Sequence, residues 1–569
     1  MIDLQNFSNG SLTRDQMMSQ ITYGYCHEVI CRNIPVPKPE KIASDIVNDI
    51  NMVFRVANTS REKGERWKPV EELDPTRIAI CLAELNLVRR VQLNEDEDEG
   101  SYVLGIHETA GPKRGLYNID ENAINCLCRR YNGSLRKKDI SEIKAVLMDT
   151  APIVKRCFDP DLIPVNNGIF DYKKKQLIDF DPKYVFTSKC GTDYIPNAQN
   201  PILSNPDGTV WDVESWIESL VSNHPDKDEM ADLLWKIIGA TVRYLVPWNK
   251  AAFLISPKGN NGKGTLCELM RSLLGSGNYA NIPIANFSKE YLLETLARVN
   301  VILTDENDVG IYLDSSGNLK AAITGDLMQL NRKYKTPIML RFRGFMVQCL
   351  NDHPNFRDKT DSLFRRQLYV PMTQCFTNAE RKYIKTDYVH RKEVLEYVLF
   401  KVLNMDYDQL PVPKSCQEEL ENSRQINDPV LQFMNDFMDE FTWDLLPFTF
   451  LYDLYRKWYE KNVPGKPALS RARFMQELKR NLPSFPEWTT HTNASGRDLE
   501  VGSKGKMDKP ELLIMSYNLD DWKNPNYTGG NLDTICMPAL KRNYRGIIRV
   551  CANNDKDEAM EKQKDIATE

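Results

Sequence analysis

The run "SPKGNNGKGT", Ser256 to Thr265, combines glycines, a lysine and a threonine in a spacing that could hold a polyphosphate. A loop for that task turns backbone N–H groups inward and places a helix N-terminus against the anion. It also sends one ammonium toward the outer phosphates. The candidate binding residues are Gly259, Asn260, Asn261, Gly262, Lys263, Gly264 and Thr265, with Lys263 as the reaching cation. The run departs from the pattern G-x-x-x-x-G-K-[ST] at Pro257, where the first glycine would fall. It departs again at Gly264, which moves the hydroxyl to Thr265. "AAFLIS" before the loop reads as a strand and "TLCELMRSLLG" after it as a helix, the context that such a loop requires.

Further along, "VNVILTDE" (299–306) is an apolar strand tipped by Asp305 and Glu306. Phosphoryl transfer to water needs one acid to hold Mg²⁺ and another to orient the attacking water. Asp305 suits the first role, with Thr265 as the other candidate metal ligand, and Glu306 suits the second. An apolar strand capped by two acids by chance is the plain alternative for this stretch taken alone; its pairing with the glycine-rich loop upstream favours the catalytic reading. "FRGFMVQCLND" (343–352) brings Asn351 to another strand tip, where its amide could sense the outer phosphate. "DSLFRRQLYVPM" (361–372) offers Arg365 and Arg366. A guanidinium supplied by a neighbouring subunit can neutralise charge on the transferring phosphate, and a surface salt bridge is the competing reading. Between the acidic strand and the Asn351 strand lies a basic stretch without acids. Its turn, Arg332-Lys333-Tyr334-Lys335, could grip single-stranded nucleic acid through phosphate contacts and a stacking ring.

Positioning these groups requires a mainly parallel α/β sheet, because short apolar strands alternate with turns and helices from about residue 250 to 372. The expected divisions are a mixed N-terminal domain at 1–135, a helical and mixed module at 136–248 and an ATPase domain at 249–410. A C-terminal domain follows at 425–530, with a disordered tail at 553–569. Helical patterning is expected around 38–57 and 76–92, and a strand or hairpin at 163–182. Helices are expected at 211–222 and 226–246, with Asp212 and Asp226 at their N-terminal ends. Amphipathic helices at 430–441, 448–461 and 470–481, followed by a hairpin at 496–519, have the layout of a winged helix.

Bulk properties narrow the partners. A hydrophobic content of 41% and a charged content of 27% describe a globular chain, and a net charge of −5 argues against a wholly basic nucleic-acid coat. No run is long and apolar enough for a membrane span, and the first residues lack a signal-peptide layout. Thirteen cysteines, mostly isolated, fit a reducing cytoplasm. Asp179-Phe-Asp181 has the spacing of a two-metal polymerising site but lies in a turn with no accompanying histidine pattern, so priming is not expected.

The ordered set "GNNGKGT", "VNVILTDE", "LKAAITGDLMQLNRKYKT", "FMVQCLND" and "FRRQLYVPM" resembles the motifs of superfamily three helicases. "LIPVNNGIFDY" and residues 211–246 resemble the domain that precedes the motor in phage and poxvirus-type primase-helicases. Similar architecture occurs in replication-initiator helicases of staphylococcal pathogenicity islands and cassette chromosomes. The resemblance implies an AAA+-like P-loop motor driven by ATP with Mg²⁺, assembled as a homo-hexamer and moving 3′ to 5′ on single-stranded or forked DNA. It further implies that Arg366, rather than Arg365, is the arginine finger. A cytoplasmic setting in a bacterial host is expected. The winged helix is expected to bind origin duplex DNA or another replication protein. Two other readings stay open: a nucleotide-gated origin-binding or loading scaffold that does not unwind, and a small-molecule kinase suggested by the Gly-Lys-Gly-Thr ending.

Overall fold

A computed structural model describes residues 12–32, 35–95, 102–308, 310, 312–313, 315–332, 335–356, 358, 360–376, 381–462 and 467–550. The chain divides into two compact units, Met1–Leu420 and Glu421–Glu569. The three segments expected at 1–135, 136–248 and 249–410 all fall within the first.

At the start of the first unit, helices Arg14–Cys31, Pro39–Ala57 and Pro75–Glu84 bury their apolar faces against one another. Asp74 caps the third by accepting from the Arg77 amide, and Pro75 opens it, the favoured chemistry for a helix start. The helix expected over 76–92 ends at Glu84 because Val88–Gln92 is a strand. That strand pairs antiparallel with Tyr102–His107 and parallel with Ile153–Lys155. Its burial comes from these distant partners, which local periodicity does not report. The Asn-Gly stretch folds as a three-stranded antiparallel meander, Leu162–Val165, Gly168–Asp171 and Gln176–Ile178. Helices Val213–Ser219 and Lys227–Val242 follow. Asp212 caps the first as expected, accepting from the Ser215 amide. Asp226 occupies the N-cap position of the second, also as expected, but its carboxylate accepts from the amide and hydroxyl of Ser415 and not from the helix.

The layer that carries the candidate site contains, in chain order, strands β1 (Ala251–Ile255), β2 (Val301–Thr304), β3 (Leu327–Arg332), β4 (Lys335–Arg341), β5 (Phe345–Leu350) and β6 (Gln367–Pro371). Helix α1 (Lys263–Leu274) follows the glycine-rich loop. Strands β2, β5, β1 and β6 lie side by side in that order, all parallel. Ala280 continues the sheet beyond β2 through a parallel bridge to Ile302. Every residue of these four strands is buried, as expected for a parallel sheet covered on both faces. Ala252, Leu254, Leu303 and Val347 meet α1 and the Lys227–Val242 helix in one core. Their alternates Phe253, Ile255, Ile302 and Tyr369 face a second core containing Phe287 and Leu293. The β3–β4 hairpin lays Met328, Leu330, Ile338 and Leu340 into this second core.

The second unit runs helix Pro429–Phe437, strand Leu445–Pro447, helices Phe448–Asn462 and Arg471–Asn481, then strands Trp488–Thr490 and Gly546–Arg549. The last strand lies between the other two and antiparallel to both. The three expected helices are present. The hairpin expected at 496–519 is not: Val501–Gly502 pairs with Asn543–Tyr544, and Leu513–Ser516 is a short helix. Buried Leu513 and Ile514 dock on the unit's core, which explains why an apolar run forms a helical turn there. The tail at 553–569 lies outside the described residues.

Phe433 sits at the centre of this second core, with ring centroids of Phe437, Tyr455, Trp458 and Phe474 between 5.2 and 5.9 Å away. Phe433→Ala should therefore destabilise this unit by about 3–5 kcal/mol. Calorimetry of the full chain should show a transition moved to lower temperature; an unmoved melting profile would contradict the packing.

Candidate functional site

In the glycine-rich loop, Asn260 and Gly262 both have positive φ, 55° and 82°. Asn tolerates that region better than most residues. Gly262 is required there, because a Cβ would also lie 2.4 Å from Cδ2 of Leu220. The Asn261 side chain donates to the Lys258 carbonyl and accepts from the Lys263 amide at 3.2 Å, closing the loop on itself. Lys263 opens α1 and is only 6% exposed; its Nζ donates to the Ser256 carbonyl at 3.1 Å. Burial pushes the Lys263 amine below its ordinary pKa. A buried amine beside the positive end of a helix, held by one neutral carbonyl, is arranged to receive an anion. Gly264 lies in the first turn and leaves its flank bare, while the half-buried Thr265 follows it.

Strands β2 and β5 bring their acidic and amide tips to the same edge of the sheet as the loop. The Leu350 carbonyl at the end of β5 accepts from the Ser256 amide at 3.1 Å, so Asn351 emerges beside the loop's base, exposed. Glu306 is exposed at the tip of β2. Asp305 is not free. Arg271, in the last turn of α1, donates to both of its oxygens, Nη1 to Oδ2 at 2.9 Å and Nη2 to Oδ1 at 2.8 Å. The hydrogen bonds from Arg271 hold the Asp305 carboxyl below its usual pKa, and the same pair raises that of Arg271. An ion at Asp305 would have to displace Arg271.

Sequence reading missed this clamp. It also missed buried Asn307, which donates to Gln348 Oε1 and the Cys349 carbonyl at 3.0 Å each and accepts from the Ile284 amide at 2.9 Å. Gln348 in turn donates to the Ile282 carbonyl at 3.0 Å. This network sets the spacing of the β2 and β5 tips. Its one visible signal was a glutamine inside an otherwise apolar strand.

Arg365 and Arg366 lie at the opposite end of the sheet. The register pairs Ala251 with Gln367 and Ile255 with Pro371, so Arg366 precedes β6 at the edge where β1 begins. A five-residue strand separates the two edges by roughly 15 Å. Neither arginine is therefore placed to act on the loop of its own chain. Arg365 is exposed, and Lys250 Nζ donates to its carbonyl at 3.1 Å. Arg366 folds back and donates to the carbonyl and hydroxyl of Ser362.

At the hairpin, half-buried Arg332 lines a cleft with Tyr102, Glu121, Lys144, Glu294 and Arg298. Asn94 ties the same hairpin to the N-terminal segment, donating to the Met339 carbonyl at 3.0 Å and accepting from the Arg341 amide at 2.9 Å. Lys335 begins β4, whereas Lys333 and Tyr334 lie outside the described residues. Of the two acids with two-metal spacing, Asp181 is paired with Lys183 at 3.0 Å in its turn. Within the second unit, Arg473, Lys479 and Arg480 of helix Arg471–Asn481 are ion-paired with Glu477, Asp498 and Asp428, and Arg471 is exposed. Among the described residues no helix is long and apolar enough to cross a membrane.

Three segments match family models. Residues 52–221 match "D5 N terminal like", residues 254–366 match "Family of unknown function (DUF5906)", and residues 425–524 match "Poxvirus D5 protein-like". The chain is thus similar to D5-type proteins in segments that precede and follow the central one in sequence. The first of them crosses the 135/136 boundary expected from sequence. No curated protein matches. Solved structures that match include the apo NrS-1 C-terminal region (305-718), 13% identical with a TM-score of 0.40, covering 77% of this chain and 98% of that one. An A-form apo structure of the same region is 13% identical, with a TM-score of 0.36 and coverage of 72% and 87%. These likenesses are too loose to assign architecture.

Two outcomes test the site's construction. Gly262→Ala should disturb the loop, since both the positive φ and the Leu220 contact oppose a side chain; a crystal structure with an unchanged loop would contradict this. Arg271→Gln should lower stability at pH 7. Asp305 has a depressed folded pKa, so its contribution is present above its unfolded value near ~3.9 and is lost as pH falls through the folded one. The stability gap between wild type and Arg271→Gln should accordingly narrow in acid denaturation below about pH 4.

Proposed function

We propose that the chain is an ATP-driven replicative DNA helicase that works as a homo-hexameric ring, moves 3′ to 5′ on single-stranded DNA and serves initiation at an origin of a phage or mobile element. The observation that carries this reading is the division of the candidate groups between two opposite sheet edges. Lys263, Asp305, Glu306 and Asn351 gather at the loop edge, and Arg365 and Arg366 stand at the other. Groups arranged this way can complete one another only between copies, which makes hydrolysis a property of a subunit seam. The strand order, with Ala280 at its outer edge, supports an AAA+-like motor. The helix and strand order of the second unit, with its last strand between the other two, supports a winged helix. The D5-like matches point to a replication-related DNA enzyme.

In this reading the loop's N–H groups and Lys263 hold the triphosphate, and Glu306 orients and deprotonates the attacking water. Asn351 fixes the outer phosphate, and Arg366 or the more exposed Arg365 from the next copy neutralises its charge. Mg²⁺, when bound, offsets phosphate charge; Asp305 and the Thr265 hydroxyl are its candidate ligands once Arg271 has released the carboxylate. Arg332, Lys333, Tyr334 and Lys335 bind the DNA strand. The ion pair between Arg271 and Asp305 favours one alternative, a nucleotide-gated loading scaffold in which hydrolysis is slow.

DNA-stimulated ATP hydrolysis measured beside displacement of a forked duplex tests both. Lys263→Ala should lower turnover at least about a hundredfold. Arg366→Ala should lower it by about 10³ or more if that guanidinium is the finger. Mixing the two inactive variants should restore part of the activity, because some seams then join an intact Lys263 to an intact Arg366. Hydrolysis without displacement selects the scaffold, and full activity in Lys263→Ala ends the proposal.

A further inference from the structure

After β6 the chain is tied to the glycine-rich loop through residues 372–376 and to α1 through His390. The Phe376 amide donates to the Asn260 carbonyl at 2.8 Å and the Met372 amide to the Ile255 carbonyl at 2.8 Å. His390 Nδ1 shares a hydrogen bond of 2.8 Å with the Ser272 hydroxyl on α1, and its Nε2 lies 3.8 Å from Glu268 on the same helix. Between these anchors stands the short helix Lys382–Thr386, with Tyr383 and Ile384 packed on the core below. Its Lys385 reaches the first turn of α1. A Cβ added at Gly264 would lie 3.3 Å from Lys385 Nζ, so the ammonium occupies the flank that Gly264 leaves bare. The same ammonium lies close enough to Asp305 to help keep that carboxylate ionised.

Lys385 is exposed and forms no hydrogen bond or ion pair with another described residue. Lys385 stands beside the positive end of α1, next to Gly264 in the turn that also contains Lys263, and the nearby carboxylate of Asp305 is held by Arg271. An unpaired surface lysine ordinarily turns away from such surroundings into water. Here the anchored segment on either side delivers it there.

We infer that Lys385 is a second contact of the same chain to the bound nucleotide, engaging the outer phosphates from the side of Gly264 opposite the loop. This rests on the triphosphate reading of the loop and adds a residue from outside the motif-bearing strands. It also gives Gly264 a purpose: a side chain there would press on Lys385. The outer phosphates distinguish ATP from ADP, so Lys385 should report the state of the nucleotide to the segment that covers it.

The test is nucleotide titration of the full chain, with ATP and ADP as separate ligands. Lys385→Ala should weaken ATP binding roughly ten- to hundredfold, the worth of one charge-assisted hydrogen bond, and change ADP binding several-fold at most. Lys385→Arg should recover most of the loss. Lys382→Ala, on the same helix and also exposed, should leave both affinities unchanged. If Lys385→Ala lowers the melting temperature, Lys385→Gln provides the neutral comparison. Wild-type ATP affinity in Lys385→Ala or Lys385→Gln, or an equal loss for ATP and ADP, overturns the inference while Lys263→Ala still abolishes binding. A wild-type chain that binds neither nucleotide overturns the triphosphate reading, and this inference with it.

Discussion

A parallel sheet delivers every strand's C-terminal end to one edge, and the rest of this protein depends on that directional constraint. Strand β1 runs into the glycine-rich loop, β2 into Asp305 and Glu306, and β5 into Asn351. None of these groups needs a loop of its own to reach the others. The same directionality forces the residues that precede β6 to the far edge. Arg365 and Arg366 are thereby excluded from their own loop without any steric device.

The sheet holds this arrangement because both faces are covered. One face meets α1 and the helix before β1; the other meets the β3–β4 hairpin and the 3₁₀ turns around Phe287 and Leu293. Polar side chains inside the sheet are few: those at the β2 and β5 tips are bonded, whereas that of buried Gln367 at the start of β6 has no hydrogen-bond partner among the described residues. Asn307 and Gln348 tie β2, β5 and the segment Ile282–Ile284 together through buried hydrogen bonds, which are costly to leave unmade. Rigidity at the strand tips is the return on burying these amides.

Charge at the loop edge is arranged as a set of exchangeable pairs. Arg271 holds Asp305, and Lys263 rests on a backbone carbonyl. Lys385 has no hydrogen-bonded partner among the described residues. An arriving polyphosphate with its counterion would give each of these groups a stronger partner than its present one. Binding would then rearrange the edge through Coulomb attraction, with little change in the fold beneath it.

The strand, loop and helix around Lys263 and the acid-tipped strand at Asp305 were legible in the amino-acid sequence because they depend on short-range chemistry. Apolar runs, turn-forming glycines and a helix start are written in adjacent residues. The three helices of the second unit were legible for the same reason. Tertiary structure alone decided what depends on partners remote in the chain: the strand at Val88–Gln92, the burial of Leu513, the clamp of Arg271 on Asp305 and the arrival of Lys385 beside Gly264. Periodicity reports which face of an element is apolar. Which residue a charge will meet is set by packing between elements, and no local pattern records that.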